Sequence, residues 1–68
     1  MEYNLRATNP DWTQSEYFQT ARNWTSLEDA QNYKAELLVE LTEKLATGTW
    51  TITAYYWDTV QHIWKPAE

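Results

Sequence analysis

A chain of 68 residues with no cysteine and one histidine has room for a single domain with a single core, and it excludes a disulfide scaffold or a thiolate metal site. Ten acidic against five basic side chains give a net charge of −5, which repels the phosphates of duplex DNA. No run of about 18 apolar residues occurs, and no basic segment precedes an apolar one after Met1, so neither a membrane span nor a secretion signal is expected and a cytoplasmic location is.

The first element in the chain is Tyr3 to Thr8, where Tyr3, Leu5 and Ala7 alternate with Asn4, Arg6 and Thr8 in the period-two pattern of a half-buried strand. Asn9-Pro10-Asp11 ends it, because proline cannot donate to a ladder and Asn and Asp favour turns. Residues 15–24 alternate again, but neither Glu16, Phe18, Thr20, Arg22 nor Tyr17, Gln19, Ala21 is plainly a core face, as suits an edge strand. Either Thr25 with Glu28 or Ser26 with Asp29 then starts a helix over 26–46, since both pairs offer a capping hydroxyl followed three residues on by an acid. Leu27, Ala30, Leu37, Leu38, Leu41 and Leu45 share a stripe crossed by the stem of Lys34, and Gly48 is placed to cap the helix C-terminus. Residues 49–57, nearly all β-branched or aromatic, predict a third strand with Trp50, Ile52, Ala54 and Tyr56 toward the helix. Residues 60–64 are either a fourth strand stopped by Lys65-Pro66 or the continuation of a bulged third one.

These elements predict an α+β fold over residues 1–68: a small antiparallel sheet, ββαβ or ββαββ, with one long helix packed on one face. A right-handed crossover from the second strand to the third puts the first strand in the centre, in the order 2-1-3 or 2-1-3-4. So short a chain buries only about 60% of its unfolded surface, which makes association a natural aid to stability. A helix covers one face of a sheet, so some of the eleven aromatic residues must stand on the other.

That other face carries Thr51, Thr53, Tyr55 and Trp57, joined by Arg6 and Thr8 from the neighbouring strand, residue types that anchor protein interfaces. It is expected to meet a partner protein or a second copy, unless the 9–14 loop with Trp12 covers it. A second surface is the acidic helix face of Asp29, Glu36, Glu40 and Glu43, suited to a basic protein surface, with Lys44 placed to pair with Glu40. Asp58 and His62 could approach as a carboxylate and imidazole, but no nucleophile accompanies them and no glycine-rich loop exists to cradle phosphates. No catalytic residue, cofactor or metal is therefore expected. Stacking of single-stranded nucleic acid on the sheet aromatics is a weaker alternative, because its basic rim would rest on Arg6, Arg22 and Lys65.

The strand–strand–helix–strand order over Tyr3 to Trp57, with its capped Thr25-Ser26-Leu27 helix start, resembles that of small phage-encoded proteins, inhibitors of host RNA polymerase among them. The resemblance implies a small protein that occludes another one. Those inhibitors use arginines on the third strand, where Thr51, Thr53 and Tyr55 stand here, so it carries over no site residue. The function expected is thus a non-catalytic protein-binding module, an inhibitor or adaptor, with a homodimeric accessory protein as the alternative.

Overall fold

Alternating residues from Tyr3 onward put Leu5 and Ala7 on one side of a strand, and both are fully buried. The computed structural model describes residues 1–68, in the order β1 (Tyr3–Thr8), β2 (Phe18–Gln19), α1 (Leu27–Asn32), α2 (Lys34–Lys44), β3 (Thr51–Asp58) and β4 (Ile63–Pro66). The strands form one antiparallel sheet in the order β2-β1-β3-β4 with the helices against one face, the predicted α+β arrangement with the first strand inside. Leu5 pairs with Ala54, Ala7 with Ile52 and Phe18, and Tyr3 with Tyr56, so these residues share the helix side. Arg6 pairs with Thr53 and Gln19, and Trp57 with Trp64, on the outer side. Leu37, Leu41 and Ala30 from the helices, with Trp24 and Trp50, complete the core over Leu5, Ala7 and Ala54. Burying each leucine contributes about 1.5–3 kcal/mol. No helix is long and apolar enough to cross a membrane.

The second strand is far shorter than 15–24. Two residues pair in the ladder, and beyond them the backbone returns to β1 at the Thr20 N–H to Leu5 carbonyl bond of 3.0 Å and at the Tyr3–Trp24 bridge. Side chains replace the missing ladder. Leu5 N–H donates to the Thr20 hydroxyl at 3.2 Å, and that hydroxyl donates to the Arg22 carbonyl at 3.0 Å. Asn4, wholly buried, donates its amide to the carbonyls of Thr20 and Arg22 and to the Asn23 side chain. Hydroxyl and amide groups compete in this way with regular backbone pairing.

The helix is interrupted once rather than continuous over 26–46. Tyr33 N–H is shared between the Ala30 and Asp29 carbonyls, both at 3.2 Å, a local tightening that divides α1 from α2. The Tyr33 ring packs on Trp24 at 5.2 Å. Of the two capping alternatives the structure uses Ser26, whose hydroxyl accepts from Asp29 N–H at 3.3 Å. At the other end the helix closes on Leu45 and Ala46, both donating to the Leu41 carbonyl, so Gly48 is not its cap. Gly48 lies in the following loop at φ 105°, where a Cβ would stand 3.0 Å from Asp11 Oδ2. The stripe is also wider than the sheet needs: Leu38 and Leu45 remain 42% and 38% exposed, beside Val39 at 55%.

The third strand runs to Asp58, and the fourth is a separate strand displaced from 60–64 to 63–66, so the chain is ββαββ with its helix in two pieces. The turn between them lacks glycine and asparagine, and His62 takes the left-handed position at φ 57°. Histidine is among the residues that tolerate it. Pro66 does not stop the strand; it stands on the sheet edge, where a missing N–H is harmless. Glu68, at the end of the chain, accepts hydrogen bonds from Ala54 N–H, Lys34 and Gln31.

Candidate functional site

The outer sheet face is built by period two: the residues between those that fill the core must point the other way, and no helix covers them. Arg6 stands near its centre. Its guanidinium lies over the Tyr17 ring at 4.3 Å and the Tyr55 ring at 4.5 Å, held between two π faces. Tyr17 arrives from the residue before β2 and Tyr55 from β3, so three segments of the chain make the sandwich. Around it Thr8, Thr51, Thr53 and Glu16 line an open groove of about 320 Å³. Arg6 Nε is shielded from solvent and has no hydrogen-bond partner.

Further along the same face, Trp57 and Trp64 meet edge to face at 5.3 Å across the β3–β4 pair, with the His62 ring 6.3 Å from Trp57. The face thus divides into a polar groove centred on Arg6 and an indole cluster at the β4 side. Of the residues expected here, Arg6, Thr51, Thr53 and Tyr55 come together in the groove, while Trp57 belongs to the cluster. Tyr17, Glu16 and Trp64 were not anticipated. The inward direction of Phe18 would have found Tyr17, which must point oppositely; Trp64 depended on a strand boundary that its own sequence blurs. Trp12 does not cover this face, because it packs on Trp50 at 5.7 Å.

The acidic helix face is less uniform than its spacing suggests. Glu40 accepts the Tyr33 hydroxyl at 2.8 Å and makes no ion pair with Lys44; the two ion pairs of the domain are Lys34–Glu68 and Lys65–Asp58. That hydrogen bond, with burial and the charges of Glu40 and Glu36, pushes the Tyr33 phenol above its ordinary pKa. Asp29 and Glu36 border a shallow notch with Arg22, whose guanidinium lies over Trp24 at 5.0 Å and Tyr33 at 5.6 Å. Glu43 is exposed and unpaired.

Asp58 does not orient His62. One carboxylate oxygen accepts from Val60 and Gln61 N–H at 2.8 and 3.0 Å, and the other pairs with Lys65 at 2.9 Å. The Gln61 N–H, Lys65 and the Val60 N–H hold this carboxyl down at about 2. Glu68 is lowered too: burial pushes it up, but the Ala54 N–H, Lys34 and Gln31 together outweigh that. A carboxyl depressed by folding stabilises the fold above its ordinary pKa and loses that contribution as pH falls through the folded value. The melting temperature is therefore expected to drop as pH falls from about 4 to about 2. Asp58→Asn keeps an oxygen for the turn, lacks the charge, and should flatten part of that drop in a calorimetric pH series; an unchanged profile would remove Asp58 as its source.

No family model, curated protein or solved structure matches the chain. The sheet face that no helix covers carries Arg6 with the aromatic side chains packed on one another, opposite a helix side that carries Glu28, Asp29, Glu36, Glu40 and Glu43.

Proposed function

We propose that this domain is a non-catalytic protein-binding module of inhibitor or adaptor type, which occludes part of another protein with its outer sheet face. The observation that supports this most directly is the uncovered row of Tyr17, Arg6, Tyr55, Trp57 and Trp64. Tyr, Trp and Arg are the side chains that dominate interface energies, and here they pack on one another, which lowers the entropy lost on binding to the extent that those contacts hold them. The ladder is a poorer docking edge: β2 has two residues and β4 carries Pro66. The acidic helix face is a secondary surface, suited to a basic patch on the same partner, and it relies on Asp29, Glu36 and Glu43, since Glu40 is engaged internally.

A photo-crosslinking residue at position 55 in living cells is expected to capture a foreign protein, and one at Thr42, on the exposed helix flank, is not. Trp57→Ala should weaken that association by about 2 kcal/mol while leaving the circular dichroism spectrum intact. Crosslinks only to a second copy, with sedimentation showing a dimer from low to high micromolar concentration, would instead assign the face to self-association.

A further inference from the structure

Among the ten carboxylates of this chain none lies within ion-pairing distance of Arg6, although the protein is acidic and both of its ion pairs are made by lysines. A guanidinium that two tyrosine rings hold at the wall of this groove, its terminal N–H groups without a protein acceptor, offers those groups to an acceptor from outside, while its Nε is shielded from solvent and takes no part. The hydroxyls of Thr8, Thr51 and Thr53 border the same groove and can donate to the same oxygens. One positive charge, with Glu16 on the rim, suits a monoanion better than a phosphate dianion. The groove is also too open and polar to enclose an apolar ligand.

We infer that the Arg6 groove is a recognition site for a carboxylate, the side chain of an aspartate or glutamate in an extended segment of the partner protein. This rests on the reading of the outer face as a protein-binding surface and adds the chemistry of its central contact. The rings exclude water from the flanks of the guanidinium, so its field falls on whatever enters from the front. The rest of the face supplies contact area, and Arg6 supplies discrimination: a glutamine in place of the glutamate leaves the cation desolvated and without its counter-charge.

The probe is a blocked hexapeptide of Thr, Val and Ser with one central glutamate, compared with its glutamine and phosphoserine twins. Binding is read by the shifts of the Arg6 Nε–H and the Thr53 and Tyr55 amides in nitrogen-15 spectra. The glutamate peptide should give saturable shifts that weaken as salt rises, and the glutamine twin should bind about tenfold less tightly. Arg6→Lys, which keeps the charge and loses the fork, should weaken the glutamate peptide by about tenfold at the Thr53 and Tyr55 amides. Glu16→Gln lies on the exposed rim, leaves the core untouched, and should tighten the same peptide about two- to threefold by removing a repelling charge. Equal binding of the glutamate and glutamine peptides would overturn the carboxylate site while leaving the protein-binding face standing. Tighter binding of the phosphoserine twin, or no shift with the glutamate peptide at millimolar concentration, would overturn it as well. Failure of the in-cell crosslink at position 55 is a separate result and bears on the broader reading.

Discussion

Asn4→Leu is expected to remove about 1–3 kcal/mol of folding stability, read from urea unfolding curves, because it leaves the buried Thr20 carbonyl without the amide donor, although the Arg22 carbonyl keeps the Thr20 hydroxyl. The Asn4 amide reaches the Thr20 carbonyl at 2.9 Å, the Arg22 carbonyl at 3.3 Å and the Asn23 side-chain oxygen at 2.9 Å, from a side chain that is 0% exposed. Leucine matches the volume and supplies no donor. A domain of this size has roughly 3–10 kcal/mol in total, so the loss is a large share of it. Asn4→Asp sharpens the test. An introduced carboxylate would face the same acceptors, so its pKa would rise in the folded state and the variant should lose stability as pH increases from about 4 to 7. A loss below about 1 kcal/mol for Asn4→Leu would mean that the Thr20 hydroxyl and the Tyr3–Trp24 bridge hold the segment without the amide.

Trp50→Ala is expected to cost about 3–5 kcal/mol, the range for truncating a large buried aromatic side chain. Trp50 is 8% exposed, begins the return from the helix into β3, packs on Trp12, and donates its indole N–H to the Ala46 carbonyl at 2.9 Å. It therefore ties the helix end, the 9–14 loop and the sheet together. Trp50→Phe separates the contributions, since it keeps most of the ring and loses the donor; it should cost about 1–3 kcal/mol, as expected for a buried carbonyl left unpaired. Loss of the near-ultraviolet dichroism of the Trp12–Trp50 pair should accompany Trp50→Ala. If both variants cost the same, the hydrogen bond rather than the packing would be the larger contribution.

The core side of the sheet and the helix stripe could be read directly because each follows one period. Leu5, Ala7 and Ala54 recur every second residue along strands, and Ala30, Leu37 and Leu41 follow the 3.6-residue repeat of a helix, and all six are buried. The second strand resisted the same reading because Thr20 and Asn4 bond backbone groups that a ladder would otherwise use. Neither polar side chain announces which acceptor it will find. Tyr33 is a good helix residue locally, and the break there goes with a shared N–H and with packing on Trp24, a contact from another part of the chain. The expected Glu40–Lys44 pair gave way to a hydrogen bond from Tyr33, which lies on the same helical side as Glu40, seven residues earlier.

The candidate site divides along the same line. Arg6, Thr51, Thr53 and Tyr55 could be assigned to one outer face from alternation alone, because side-chain direction along a strand is a local property. Their relation to Tyr17 and Glu16, the meeting of Trp57 with Trp64, and the freedom of Arg6 from any carboxylate depend on which strands lie side by side and in what register. The sequence by itself determined the alternation, a capped helix start within Thr25–Ser26 and the acidic balance, all consequences of neighbouring residues or of plain composition. Tertiary structure alone decided the Arg6 sandwich and the Asn4 clasp, because each joins groups whose positions are set only when distant segments have packed.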